Sequence, residues 1–460
     1  MDAPRLNLDV LSVVCNFLAD VADFLSFSLT CSSLHPIAMG SLLRTHCIDL
    51  KDDVAVHKFH FFLFAEASAR TPHVRAFRIV VGKRRTDERA DLSIPGHDVL
   101  RIVDILTSCP HVETITVLLD NSFLGHEHNR PIIGAISAMQ SLRSLRIEGE
   151  PNDALALLLD VKSPLRRLDI QSHSSRNGSR FWTPLALEDV LPRLALTLED
   201  LEVTGLLVDP EGVQRMPRII MPPLSTMTQY AAVRSLTVGC FLGRPFLDQL
   251  QHLFPALDGT LALHHFNTLS PEEAYADIRA TNLLVQETYE SGPTCSRGWR
   301  SLDRVICSAP MLYMLGLRCP IRLVRLYQCT SDDLHYAADS LRENPVPRLV
   351  LSLPLVEELR GLDTLFSPEL AGWLTHLTLR LVYTHEEALW TNRSADIVAR
   401  LPWSHFLVCA LACPVRECSC TQRASSSHRP SWYPHCKCCT GSPTSASPSL
   451  PTSAISHTPL

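Results

Sequence analysis

Cys413-x4-Cys418-x-Cys420, followed by Cys436-x-Cys438-Cys439 with His428 and His435 close by, is the densest group of metal-ligating side chains in the chain. Thiolates and imidazoles taken four at a time hold zinc tetrahedrally, and structural sites draw them in pairs two to four residues apart, separated by a returning loop. Here the pairs are C-x-C and adjacent C-C, an awkward geometry for one tetrahedral ion. Two readings stay open: a zinc-binding element, or a segment outside the functional fold, because its composition breaks abruptly from what precedes it.

Other candidate chemistry is thinner. His126-Glu127-His128 sets two imidazoles at i and i+2, which diverge on a helix, and LGHEHNRP reads as a loop. His57, His60 and the pair His264-His265 have no carboxylate or thiol at ligand spacing. No G-x-S-x-G elbow, no G-x-x-x-x-G-K-[ST] phosphate loop and no H-E-x-x-H helix occurs. Asp and Glu are dispersed and form no acid–base pair. The expectation is a protein that is not an enzyme, with no catalytic residue, no metal site and no cofactor.

The chain has 460 residues, 46% hydrophobic and 20% charged, with a net charge of −6. That composition suits a globular core and leaves no broad positive surface, so nucleic acid is not an expected partner. Lys83-Arg84-Arg85 is the longest basic run. No 18-residue apolar span free of charge occurs, so no membrane partner is expected. The start MDAPRLNLD lacks the basic leader and apolar run of a signal peptide. The expected location is cytoplasmic or nuclear, with the sequons at Asn177 and Asn392 unglycosylated. Nine cysteines (Cys15 to Cys329) lie singly in apolar segments, as small buried hydrophobes do in a reducing compartment.

What could position a binding surface is a recurring strand motif. Eleven pieces follow apolar-x-x-apolar-x-apolar: VRAFRI (74–79), VETITV (112–117), LRSLRI (142–147), LRRLDI (165–170), LEDLEV (198–203), VRSLTV (233–238), LDRVIC (302–307), LYMLGL (312–317), IRLVRL (321–326), VPRLVL (346–351) and LTHLTL (374–379). Most neighbours are separated by about 23 to 38 residues, with a long gap after VRSLTV and a step of about ten at LYMLGL. The last three residues of each piece alternate as a short strand does. Between them lie amphipathic stretches such as HDVLRIVDILTSCP (97–110) and SDDLHYAADSLREN (331–344), the second opening on a Ser-Asp-Asp cap. Strand, loop and helix repeated at a near-constant interval is a solenoid signature, in which stacking supplies the core that one repeat lacks.

The pattern resembles leucine-rich repeats in a loose form. That family's Asn, three residues beyond the last Leu, is replaced by Glu150 after LRSLRI and Pro320 after LYMLGL. Without an Asn ladder, irregular repeats of uneven curvature are expected.

LNLDVLSVVCNFLADVADFLSFSLTCSSL (6–34) obeys a different pattern. Asn7 can cap a helix carrying Val10, Leu11, Val14, Phe17 and Leu18, and Asp20 a second one carrying Phe24, Leu25, Phe27 and Leu29. Ser32-Ser33 reads as a turn, and a third helix runs through Ile37, Leu42 and Leu43. Three helices in about 45 residues cannot bury their own apolar surface well. The stretch resembles an F-box, the trihelical module that ties a protein to the Skp subunit of a cullin–RING ubiquitin ligase. Leu6-Asn7-Leu8-Asp9-Val10-Leu11 stands for the family's Leu-Pro-x-Glu-Val/Ile-Leu, Phe17-Leu18 for its aromatic–Leu pair and Asp23-Phe24-Leu25 for its Asp step. Asn7 replaces Pro, Asp9 replaces Glu, Ser32 replaces a Lys or Arg after Cys31, and Leu34 replaces an aromatic. The stretch 299–326 also resembles the repeat cores of fungal F-box adaptors.

The resemblance implies an α/β protein with a short N-terminal three-helix F-box (1–48) followed by an irregular leucine-rich-repeat-like α/β solenoid (49–400); from its composition the Cys-rich then Ser/Pro-rich tail (401–460) is expected to be largely disordered. The resemblance also implies a substrate-recognition adaptor with two partners, the Skp subunit and a protein substrate. Leu6, Val10, Leu11, Val14, Phe17, Leu18 and Leu25 would meet Skp. A repeat scaffold that binds partners without the ligase is the alternative. If the strands line a receptor face, Arg78, Thr116, Arg146, Glu148, Asp169, Glu202, Thr204, Thr237, Arg325 and Arg380 face the ligand. Of these Arg78, Arg146 and Arg325 suit a carboxylate or phosphate, and Asp169 and Glu202 complete the substrate-binding set.

Overall fold

The computed structural model describes residues 7–81, 96–119, 130–149, 151–172, 191–207, 226–264, 273–291, 298–327, 329–354, 365–382 and 407–408. The chain divides into two units, Met1–Ala412 and Cys413–Leu460, and every described residue belongs to the first. Leu6, Lys83 to Arg85, His126 to His128, Asn177, His265, Cys295, Asn392, and the Cys-rich and Ser/Pro-rich segments lie outside the described residues.

The chain opens with three helices, α1 (Leu8–Cys15), α2 (Val21–Ser28) and α3 (Leu34–Thr45). Asn7 caps α1, its Oδ1 accepting from the Asp9 amide at 2.9 Å and satisfying one of the donors a helix start leaves open. Asp20 stands at the cap position of α2 in extended conformation, without a side-chain cap bond. Cys15, Phe24 and Ala38 form a small core of their own, with Leu18, Phe27, Ile37 and Leu42 packed on it. Leu43 on α3 belongs instead to the main core.

The rest is mixed α/β. In order come β1 (Ile48–Leu50), α4 (Asp53–Ala65), α5 (Ala67–Arg70), β2 (Ala76–Val81), α6 (Gly96–Ser108), β3 (Thr114–Leu119), α7 (Arg130–Ala138), β4 (Ser144–Gly149), α8 (Pro151–Asp160) and β5 (Arg167–Ser172). Then follow β6 (Asp200–Val203), β7 (Leu206–Leu207), β8 (Ser235–Val238), β9 (Phe241–Leu242), α9 (Leu247–Leu253), β10 (Thr260–Leu263) and α10 (Glu273–Ser291). The series closes with β11 (Leu302–Cys307), α11 (Ala309–Leu315), β12 (Ile321–Leu326), α12 (Leu334–Glu343), β13 (Arg348–Pro354), α13 (Pro368–Ala371), β14 (His376–Val382) and β15 (Leu407–Val408).

Among the described residues thirteen strands form one sheet in the order β1-β2-β3-β4-β5-β6-β8-β10-β11-β12-β13-β14-β15, every pair parallel; β7 and β9 pair separately. Each strand thus neighbours only the sheet strands next to it in the chain. Crossovers between parallel strands share one hand, so a series that always advances in one direction returns its connections over the same face. That face holds the core. Phe77, Ile115, Leu145, Leu168, Leu201, Leu236, Leu261, Val305, Val324, Leu349 and Leu377 occupy one register row across eleven strands, all buried. Burying a side chain of this size stabilises by about 1.5–3 kcal/mol.

A backbone device holds the strand starts together without an Asn ladder. The carbonyl of Arg75 accepts from the amides of both Glu113 and Thr114. The carbonyls of Glu113, Arg143, Arg166 and Glu199 do the same for Arg143 and Ser144, Arg166 and Arg167, Glu199 and Asp200, and Arg234 and Ser235, at 2.8–3.1 Å. These residues are the two variable positions of the apolar-x-x-apolar motif. Backbone bonding there tolerates any side chain, which is why the sequence is free to vary.

Ten of the eleven motif pieces contain strands, and LYMLGL does not. Residues 309–315 form α11, capped by the Ser308 hydroxyl and closed by Gly316 at φ +54°. The long gap after VRSLTV contains β9 and β10, strands the motif reading passed over together with β1, β7 and β15. Cys15, Cys109, Cys307 and Cys329 are buried as expected, whereas Cys31 and Cys47 are exposed.

Candidate docking surfaces

The N-terminal helices present apolar residues on two sides. Along α1 and the turn that follows it, Leu11, Cys15 and Leu18 follow an inward spacing of four and three, with Cys15 buried. Val10, Val13, Val14 and Phe17 follow the same spacing outward and are exposed, Phe17 to 82%. On α2, Phe24 and Phe27 turn inward, while Val21 and Leu25 lie outward and the C-cap residue Leu29 continues their step of four, exposed also to 82%. A helix apolar all round is ordinarily a buried helix; here half of that surface meets solvent. Of the residues expected to meet a partner, Val10, Val14, Phe17 and Leu25 are exposed and Leu11 is half-buried. Leu18 instead packs on the small core. Val13, Val21 and Leu29 complete the outward stripes. Their spacing from Phe17 and Leu25 was the signal that would have found them. A further outward stripe, Val54, Phe61 and Phe64, lies on α4, with Phe61 73% exposed.

The second surface is the sheet face opposite the core. Its central register row runs Asp49, Arg78, Thr116, Arg146, Asp169, Glu202, Thr237, Ala262, Ile306, Arg325, Val350, Thr378. The structure therefore places Arg78, Thr116, Arg146, Asp169, Glu202, Thr237 and Arg325 in one line, as strand alternation required. Glu148 stands two residues further along β4. Arg380 pairs in register with Ser352, two residues beyond the Val350 row. Thr204 follows the end of β6, outside the sheet's registered residues.

The two halves of this face differ in charge. On β4 to β6, Arg146 Nε lies 2.9 Å from Glu148 Oε1 and 3.3 Å from Asp169 Oδ2, with both carboxylates buried to within 3%. Arg167 reaches Asp200 at 3.5 Å and Glu202 at 4.0 Å. Burial, then the neighbouring Glu202, pushes the Asp169 carboxyl up to about 7, against the opposing pull of Arg146, Gln171 and Arg167. Asp169 Oδ1 is buried without a hydrogen-bond partner.

On β11 to β14 the balance is reversed. Arg304, Arg325, Arg348 and Arg380 all project from this face, and among the described residues no carboxylate forms an ion pair with Arg304, Arg325 or Arg380. The Nε atoms of Arg304 and Arg325 are buried and lack hydrogen-bond partners. Burial, then Arg380 and Arg304, lowers the Arg325 pKa from its ordinary value. Asp303, at the start of β11, is engaged by Arg322 through two hydrogen bonds, one of 2.9 Å from Nη2 to Oδ2.

Among the described residues no cluster of three or more His, Cys, Asp or Glu can hold a metal ion. His60 meets Asp104 at 3.7 Å, and His264 stacks against Tyr327. No helix among the described residues is long and apolar enough to cross a membrane. Comparison of the chain with protein-family models and with curated proteins finds no match.

Proposed function

We propose that the chain is a non-catalytic substrate-recognition subunit of a Skp–cullin–F-box ubiquitin ligase. The three N-terminal helices act as an F-box that docks on Skp. The sequence-ordered sheet is a solenoid of degenerate leucine-rich repeats whose open face receives the target protein. Its work is proximity: the adaptor raises the target's effective concentration at the ubiquitin-transfer site and performs no bond chemistry itself.

The observation that carries this reading is the exposed outer stripe of α1, α2 and the turns that close them, with Phe17 and Leu29 in those turns each 82% open to solvent. An end cap serving only a repeat scaffold calls for a polar outer face, and these residues do not supply one. A partner that covers them would complete a core the unit leaves half built.

Capture of the full chain by purified Skp tests the proposal. Phe17→Asp and Leu29→Asp remove outward side chains and should leave the fold unchanged by circular dichroism. A centrally buried aromatic or Leu at an interface is worth about 2 kcal/mol or more, so capture should weaken roughly thirtyfold with each. No capture of the parent chain, or capture indifferent to both substitutions, removes the ligase from the reading.

A further inference from the structure

From the arginines of β11, β12 and β14 we infer a docking track for an acidic peptide segment, running obliquely across the open sheet face with Arg325 at its centre. Arg304 stands in register with Leu323, two residues before Arg325, and Arg380 stands two residues beyond the row of Arg325 and Val350. The three guanidinium stems therefore form a diagonal. Strands about 4.8 Å apart and a rise of about 3.3 Å per residue put the steps at about 8 Å and about 12 Å. An extended peptide places alternate side chains about 7 Å apart, so acidic residues two and four positions apart match the track.

Its guanidiniums are also unspent. Among the described residues, two of the three have a buried Nε without a hydrogen-bond partner and none is in an ion pair, although the Asp303 carboxylate, engaged by Arg322, also feels Arg304. Leaving such donors unmade is costly, and clustering like charges adds to that cost. An arriving carboxylate or phosphate repays both, through paired N–H donors whose planar geometry matches it. Arg322, engaged by Asp303, lies outside this set. On β4 and β5, by contrast, Arg146 and Arg167 are already engaged by carboxylates, so those two cations are not open to an acidic chain.

The proposal rests on reading the open face as the receptor surface and names the substrate class it takes. The test is fluorescence anisotropy on the full chain with three extended twelve-residue peptides: one with Glu at alternate positions, its Gln counterpart, and one with phosphoserine at the central position. The Glu and phosphoserine peptides should bind at least tenfold more tightly than the Gln peptide, with inorganic phosphate competing. Tighter binding of the phosphoserine peptide assigns the central anion as phosphate; equal binding assigns a carboxylate. Arg325→Gln should cost at least tenfold, and Arg322→Gln should leave affinity unchanged. Arg325→Gln removes an unpartnered donor, so its melting temperature should not fall below that of the parent chain. Equal affinity for the Glu and Gln peptides, no loss in Arg325→Gln, or preference for an RNA oligonucleotide or anionic vesicle overturns the inference. No step uses Skp, so lost peptide binding with Skp capture intact sinks only this track. The reverse result sinks only the ligase reading.

Discussion

Asp169 illustrates how one side chain on the open face converts placement into a pH response. Its carboxyl is buried, shares its surroundings with Glu202, and titrates near 7, although Arg146 lies 3.3 Å away. In the unfolded chain the same group titrates near 4. Between these values the folded protein holds a proton that the unfolded chain has released, so stability falls as pH rises through the window. Asp169→Asn fixes the neutral form. The variant should melt higher than the parent chain at pH 8, by an amount on the order of a few kcal/mol, and the difference should vanish near pH 4. Thermal melts at the two pH values measure it; a variant less stable than the parent at pH 8 would mean that the Arg146 ion pair outweighs burial. This site was half legible in the sequence. Alternation along LRSLRI and LRRLDI put Arg146 and Asp169 on one face, but their pairing depends on register, which a one-dimensional pattern does not contain. The unpaired state of Arg304 was invisible for the same reason.

At the scale of elements, α10 and α11 show where the pattern misleads. Leu312, Leu315 and Leu317 satisfy the strand motif, yet i and i+3 also define a helix face. The deciding signals flank them: Ser308 as cap, Pro310 in the first turn and Gly316 at the close. Gly316 sits at φ +54°, and an added Cβ would come within 3.3 Å of the Leu283 side chain. Gly316→Ala should lower stability by about 1–2 kcal/mol in a urea titration. Beside it, α10 does what an Asn ladder does elsewhere. The buried Asn282 donates to the carbonyls of Pro245 and Met314 at 2.9 and 2.8 Å and accepts from the Leu247 amide at 2.9 Å. Gln286 donates to the Gly316 carbonyl at 2.8 Å and accepts from the Arg318 amide at 3.0 Å. Asn282→Leu orphans three buried backbone groups and should cost about 3 kcal/mol or more, read from the same titration. Strand β10 escaped notice because Leu257 precedes Leu261 by four residues, one more than the motif allows. Gly259 occupies the extra position, where a Cβ would meet the Arg234 carbonyl oxygen at 2.7 Å.

For the whole molecule, strand order following chain order has mechanical consequences. Every sheet contact is between neighbours in sequence, so damage should remain local before it becomes global. Leu236→Ala, in the buried row at the middle of the sheet, should cost about 2–5 kcal/mol. Hydrogen exchange should then accelerate first in β6, β8 and β10, with β2 and β13 keeping their protection. Uniform acceleration across all strands would show a sheet that unfolds as a single cooperative body. The mixed α/β class and the places of most strands were readable from recurrence, since ten of the eleven pieces contain strands. The one-sided sheet followed from alternation.

Among the described residues the sheet of thirteen strands ends in two margins, where unpaired amides invite another chain to add itself. Here the margins are β1, three residues long, and β15, two residues long. Stubs of that length offer a newcomer too few hydrogen bonds to hold it. Among the described residues, however, β15 pairs only with His376 and Leu377 of β14, so the stretch from Thr378 to Val382 keeps the longer edge, and that is where an incoming strand would find a ladder to extend.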